Sequence, residues 1–293
     1  MIPFPNISPE IFTITIAGLD FTLRWYALSY VVGFLLAMLI MRFFTNQQRL
    51  WRFQTGPLDT EQVDSMVTYL ILGVIVGGRL GYVVFYNADY YSQNPSEILK
   101  VWDGGMSFHG GFLGVVLAAI FYCRFNGILL WSCADLIALS AGPGIFLGRT
   151  ANFINAELWG RPTSVSWGVI FPGQRAQDCP GVIGECARHP SQLYEAGLEG
   201  ALLFLVLVVL AFLGALRRPG VVTGAFLLIY GLGRYFVEFF RVPDPQFFSV
   251  DNPYGFAYSV GDIGLTMGQA LSVPMVAVGL VLIVSKFRKP RFG

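Results

Sequence analysis

Seven apolar stretches, each about 18–22 residues long, match the thickness of a bilayer's hydrocarbon core. They run from about Trp25 to Phe43, Ser65 to Tyr86, Gly105 to Tyr122, Trp131 into a polar break at Gly148, Gln192 to Leu213, Val221 to Phe240 and Met267 to Ser285. With 55% hydrophobic and only 13% charged residues, and a mean hydropathy of +0.60, the chain is too apolar to form one soluble core. The pattern predicts an all-α polytopic membrane protein with seven transmembrane helices, a single domain over residues 1–293. A polar, Gly/Pro-rich insert at about 160–190 is the one candidate for a small extramembrane head lobe, with a strand expected at Ser166–Phe171.

Shorter signals fill in the rest. Residues 1–24 are Pro-rich and mixed, are expected to lie along the interface, and lack the basic start of a cleavable signal peptide. Asp59-Thr60-Glu61 reads as a helix start. Orientation follows from Lys and Arg in short loops. One side collects Arg42, Arg49, Arg52, Arg124, Arg217, Arg218, Lys286, Arg288, Lys289 and Arg291; the other has Arg24, Lys100, Arg241, Arg149, Arg161, Arg175 and Arg188. The last four of these belong to the polar break and the long insert, which count less. The N-terminus is therefore expected outside and the C-terminus inside. A net charge of +1 gives no global field to recruit nucleic acid.

The four cysteines show no metal-ligand spacing. Cys123 and Cys133 sit in or beside apolar spans as packing residues. Cys179 and Cys186 share the polar insert, where a disulfide and a pair of free thiols are both open readings.

The polar break, Gly148 to Gly160, places a guanidinium, two amides and a carboxylate at the end of an apolar run. Arg149, Asn152, Asn155 and Ala156 share roughly one side at helical spacing. Such groups are costly beside lipid and face a protein interior or a wet cavity. With the topology above, Tyr26, His109, Arg149, Asn152, Tyr194 and Glu195 fall near the outer ends of their spans. Tyr230, Arg234, Glu238 and Arg241 line one face of the sixth span. Five spans thus converge on one depth, with two or three arginines and few acids to neutralise them. An anionic phospholipid headgroup fits that chamber, and the glycines at 104–105 and 110–111 would let backbone approach a bulky ligand. Physics alone stops at a protein that acts on, or carries, an anionic lipid.

Gly148-Arg149-Thr150-Ala151-Asn152-Phe153-Ile154-Asn155-Ala156-Glu157-Leu158-Trp159-Gly160 resembles the signature of the prolipoprotein diacylglyceryl transferases. Similar matches are Leu23 to Tyr26, Gly77 to Tyr82, Val101 to Gly111, Arg188 to Glu195, and Tyr230 through Asp244. The resemblance implies a multi-pass enzyme of the bacterial inner (cytoplasmic) membrane, with its insert in the periplasm and the whole chain as one catalytic domain. It would move the sn-1,2-diacylglyceryl group of phosphatidylglycerol onto the lipobox cysteine of a prolipoprotein signal peptide. The products would be a thioether and glycerol phosphate. Phosphatidylglycerol, prolipoproteins and membrane lipids are then the partners, with no nucleic acid, no metal and no cofactor.

The residues suit that reaction. A thiol of pKa near 8.5 must lose its proton to become the nucleophile. His109 is the preferred base, although its ordinary value, about 6.5, leaves the transfer roughly 3 kcal/mol uphill. Nearby cations would favour the thiolate and at the same time lower the basicity of His109. Arg149 and Arg234 are expected to hold the phosphate and stabilise the leaving charge. Asn152 and Tyr26 would orient the headgroup, with Tyr230, Glu157, Glu238 and Arg241 completing the substrate-binding set and Gly160 giving backbone room. His189 is the rival base, and Arg79 reads as structural. A lipid carrier and a phosphatidyl-transferring enzyme stand as rival functions, separated by whether a covalent product forms and by its mass.

Overall fold

The computed structural model describes residues 1–16, 19–179, 181–243, 245–247, 249, 252, 254–260 and 263–288. Lys289 and Arg291 of the orientation count and Asp244 of the last matched segment lie outside them. The chain is mostly helical. Its long helices are α1 (Trp25–Asn46), α2 (Thr60–Tyr86), α3 (Phe108–Phe125), α4 (Leu130–Ile154), α5 (Ser191–Phe212), α6 (Val221–Val237) and α7 (Met267–Arg288). Among the described residues six are long and apolar enough to cross a membrane, whereas α6 has 17 residues. The sequence carried this span on to Phe240. The helix stops earlier because Glu238 to Phe240 form a turn that carries Arg241 toward the insert.

Local chemistry sets the ends. Asp59 caps α2 in a reciprocal box: Gln62 N–H donates to its carboxylate at 2.8 Å, and Asp59 N–H donates to the Gln62 side chain at 3.0 Å. Ser107 caps α3, accepting from Gly110 N–H at 3.2 Å. That helix starts three residues later than the sequence suggested, because Gly104 and Gly105 have φ of 83° and 77°.

The helices pack in pairs, α2 on α3, α1 on α4 and α6 on α7, with α5 against α4. The α2–α3 crossing corrects one expectation. Gly73 and Gly77 meet Gly110 and Gly114 so closely that a Cβ on Gly114 would lie 1.9 Å from the Gly73 carbonyl oxygen. A Cβ on Gly110 would lie 2.3 Å from that of Gly77. Gly110 therefore admits a neighbouring helix rather than a ligand, since small residues at four-residue spacing let two backbones touch. Arg79, buried on α2, ties down the loop before α3. Its guanidinium donates to the carbonyls of Ile98 at 2.8 Å, Glu97 at 2.6 Å and Gly104 at 2.5 Å, and lies 5.1 Å from the Tyr91 ring.

The dry core fills one end of the bundle. Met41, Phe44, Met66, Leu136, Leu139, Leu203, Leu207 and Val222 pack there with Trp51 and Leu216. At that end Asp135 of α4, fully buried, accepts from the backbone N–H groups of Gly220 and Thr223, both at 2.7 Å, and from the Thr223 hydroxyl at 2.7 Å. A side chain of α4 thus caps the start of α6, fixing the two helices relative to each other. Outward, large apolar side chains such as Leu35, Leu72, Phe112 and Val281 are exposed, as lipid-facing residues must be.

Among the described residues, three two-stranded β-pairings depart from the all-α expectation. β1 (Ile2–Pro3) pairs in parallel with β4 (Val169–Ile170), inside the stretch where a strand was expected. β2 (Glu10–Ile16) and β3 (Leu19–Arg24) form an antiparallel hairpin that leads directly into α1. Residues 10–16 are thus paired with residues 19–24, because the alternation of Phe12-Thr13-Ile14-Thr15 with Phe21-Thr22-Leu23 favours strand pairing. β5 (Tyr258–Val260) and β6 (Ile263–Leu265) make the third pair before α7.

The insert folds as the head lobe. Phe171, Val169 and Ala176 are its buried centre, against Phe4, Phe153 and Trp159. Arg188 runs through it, donating to the carbonyls of Ala176 at 2.5 Å and Asp178 at 2.8 Å, and burial lowers its affinity for a proton. Cys179 and Cys186 are joined as a disulfide, while Cys123 and Cys133 are buried free thiols.

Candidate active site

At the end of the bundle opposite the core, α4, α5 and α6 bring charged side chains together. Glu195, about one turn into the α5 span and fully buried, is the hub. Its Oε1 accepts from Arg234 Nη1 at 2.7 Å and from Arg241 Nη1 at 2.5 Å, and its Oε2 lies 3.0 Å from Arg149 Nη1. Glu238 stands 2.8 Å from Arg234 Nη2 and 3.6 Å from Arg241 Nε. Glu199, one helical turn beyond Glu195, pairs among the described residues only with Arg149 Nη2, at 3.7 Å. Tyr230 of α6 lies within electrostatic reach of Arg149, Arg234, Glu195 and Glu199.

Arg149, Arg234 and Arg241 therefore do meet. The chamber is not left positive, however: three glutamates oppose three arginines. This corrects the expectation of few acids. The sequence places Glu195 at the outer end of its span among the residues converging on the chamber, and assigns nothing to Glu199. The signal was present, since two carboxylates four residues apart inside an apolar run are an intramembrane functional marker. Directly after Glu195 the helix widens into a π turn, Ala196–Leu202, that contains Glu199, a distortion common at functional sites.

The polar break folds as a knot at the end of α4. Asn152 Nδ2 donates to Glu157 Oε1 at 2.8 Å and Asn155 Nδ2 to the same oxygen at 3.2 Å. Ala156 and Leu158 take positive φ, 50° and 58°, a left-handed turn that non-glycine residues adopt rarely. The start of α5 stitches it down: Gln192 Nε2 donates to the Glu157 carbonyl at 2.5 Å and Ser191 Oγ to that of Leu158 at 3.0 Å. These bonds set Arg149 and Glu195 side by side.

Gly160 is a crossing point. Its N–H donates to the His189 carbonyl at 2.9 Å, and an added Cβ would lie 2.4 Å from the Phe240 carbonyl oxygen. The room that glycine gives is taken up by backbone from the lobe and from the end of α6. Arg161 Nε donates to the Arg241 carbonyl at 2.8 Å across the same crossing.

The other expected residues make no ion pair within the cluster, among the described residues. Tyr26, half exposed at the start of α1, has its hydroxyl 3.0 Å from that of Tyr30 and lies within electrostatic reach of Glu157 and Arg149. His109 is exposed in the first turn of α3, its ring edge-on to Phe108 at 5.7 Å. Among the described residues no hydrogen bond or ion pair joins it to the arginines. His189 faces the lobe, its Nδ1 3.1 Å from the Tyr194 hydroxyl and its ring against Phe240. Burial holds its pKa below the ordinary histidine value. No group of three His, Cys, Asp or Glu able to hold a metal occurs among the described residues.

What remains is a cluster of partly buried guanidiniums, able to hold a phosphodiester by paired N–H donors, and an exposed imidazole on a separate helix. Residues 12–285 match the family described as prolipoprotein diacylglyceryl transferase. The chain is 56% identical over 278 residues to the phosphatidylglycerol--prolipoprotein diacylglyceryl transferase of Ruegeria pomeroyi, covering 94% of each. It is 54% identical over 283 residues to that of Roseobacter denitrificans, covering 96% of each. To that of Bradyrhizobium diazoefficiens it is 46% identical over 291 residues, 99% of this chain and 95% of its counterpart.

Proposed function

Since the chain belongs to the prolipoprotein diacylglyceryl transferase family and is a multi-pass membrane transferase with phosphatidylglycerol–prolipoprotein diacylglyceryl transferase activity, we propose that the arginine cluster is where the lipid's phosphate is held and released. The observation that carries this is the meeting of Arg149, Arg234 and Arg241 on Glu195. Three guanidiniums fixed by one buried carboxylate supply preorganised donors where negative charge develops.

In the reaction the acceptor sulfur forms a bond to the terminal glyceryl carbon that bears the phosphate. The bond from that carbon to the phosphate oxygen breaks, and glycerol phosphate leaves with the electron pair. Arg149 and Arg234 hold that phosphate. Asn152 and Tyr26 orient the headgroup, Glu157 fixes Asn152, and Tyr230, Glu238 and Arg241 complete the site, with Gly160 holding its outer wall. His109, at the lipid-accessible start of α3, takes the thiol proton from the lipobox cysteine of the incoming prolipoprotein signal peptide. All seven helices span the bacterial inner membrane in this reading, with the N-terminus and the lobe in the periplasm and the C-terminus in the cytoplasm. The chain works as one catalytic domain without metal, cofactor or nucleic acid.

The test is reconstitution of the purified protein with phosphatidylglycerol and a lipobox peptide. The expected result is a peptide heavier by one diacylglyceryl group together with free glycerol phosphate, abolished when the peptide thiol is blocked. His109→Gln, Arg149→Ala and Arg234→Ala are expected to insert normally and lose turnover. Normal turnover in the His109 variant would remove it as the base and leave an arginine-assisted route through water.

A further inference from the structure

Resting on the placement of the phosphate at Arg149 and Arg234, we propose that Glu199 is the carboxylate displaced when the headgroup docks, so that Arg149 exchanges a protein counter-ion for a lipid one. The cluster holds three positive and three negative side chains. The guanidinium edges facing these carboxylates are already taken, so an incoming phosphodiester has to compete for their N–H donors. One carboxylate must therefore yield its guanidinium edge.

The three glutamates are not held alike. Glu195 touches all three arginines at 2.5–3.0 Å. Glu238 touches two, at 2.8 and 3.6 Å. Glu199 touches one, at 3.7 Å, and neither of its fully buried oxygens has a hydrogen bond. At that distance the attraction is Coulombic without a directed bond, so Glu199 is the weakest tie.

The surroundings allow it to move. Glu199 sits in the π turn of α5, facing Gly233 of α6, where an added Cβ would make only ordinary contact, 3.7 Å from Glu199 Cγ and 3.6 Å from Leu198 Cβ. Beside Glu199 there is thus space of about one methyl group. Tyr230, whose hydroxyl feels both Glu199 and Arg149, is the donor that receives the displaced carboxylate. Glu199 acts in this scheme as a positioning residue that competes with phosphate, and it sets how tightly an anionic headgroup is held.

The experiment uses the full-length protein in phosphatidylcholine nanodiscs titrated with dioleoyl-phosphatidylglycerol, after wild-type protein has been found to lipidate a lipobox peptide. Glu199→Gln removes the competing charge and keeps the volume. The expected result is binding of the anionic lipid at least about tenfold tighter, a lower KM for it and no rise in kcat, with phosphatidylcholine binding unchanged. Glu199→Asp, which keeps the charge, should return the affinity toward wild type. A Glu199→Gln protein with wild-type thermal stability that binds phosphatidylglycerol no more tightly overturns the proposal. If that variant does not fold, Gly233→Ala decides: a methyl beside Glu199 Cγ should hinder its swing and raise the lipid KM severalfold, and an unchanged KM overturns the proposal. Wild-type affinity for phosphatidylglycerol in both Arg149→Ala and Arg234→Ala would instead sink the placement of the phosphate.

Discussion

Replacing Glu195 with glutamine would remove the hub of the cluster at constant volume. If the amide oxygen keeps the places of Arg234 at 2.7 Å and Arg241 at 2.5 Å, the amide nitrogen points at Arg149 Nη1, 3.0 Å from the oxygen it replaces. Two donors then face each other, and three guanidiniums answer to two carboxylates. Hydrogen bonds to charged groups contribute about 1.5–3 kcal/mol each, and removing one partner of a buried pair costs about 3–5 kcal/mol. The arginine side chains are still 16–22% exposed, and water recovers part of the loss. The low end, about 3 kcal/mol, is therefore the expected destabilisation. Arg149 and Arg234 also lose their common anchor, and a displacement of about 1 Å in a reacting group costs on the order of 100-fold. Unfolding titrations in lipid–detergent bicelles read the first quantity, and kcat/KM with a lipobox peptide reads the second. A variant within about 1 kcal/mol of wild type that retains most of its activity would refute the assignment of Glu195 as the hub.

Other consequences can be checked separately. Gly114→Val should force α2 and α3 apart, since even a Cβ would lie 1.9 Å from the Gly73 carbonyl oxygen; a loss of about 3 kcal/mol or more is expected in the same titration, beyond the 1–3 kcal/mol usual for overpacking. Arg79→Ala should leave the carbonyls of Glu97, Ile98 and Gly104 without their donor, and limited proteolysis should then cut the loop before α3 while the helices stay intact. His189 gives a pH signature. Burial depresses its pKa, so the unfolded chain binds a proton more readily than the folded one. Its contribution to stability is fully present above about pH 6.5 and is lost as pH falls through the lower folded value. Thermal midpoints at pH 8 and pH 5 should differ less for His189→Gln than for wild type.

The apolar spans were legible in the sequence because a backbone in lipid must satisfy its hydrogen bonds within each segment, which ties length and composition directly to helices. Asp59 and Glu61 marked the start of α2 for the same local reason: a cap is read over four residues. The sequence also named Arg149, Arg234 and Arg241 as unusual, since charges near lipid are expensive wherever they occur. It set Glu238 one helical turn from Arg234, within pairing reach, but did not reveal Glu195 as the common partner. Glu195 meets Arg234 and Arg241 across 39 and 46 residues of chain, and no local period encodes which of several charges at one depth will touch. Nor did it separate a glycine that admits a ligand from one that admits a helix: Gly110 reads the same either way, and only the approach of Gly77 decides. His109 shares a depth with the cluster in the sequence but not its contacts in the fold. Hydrophobic length acts within a segment and is written in order along the chain, whereas ion pairing depends on which helix faces meet, and packing alone settles that.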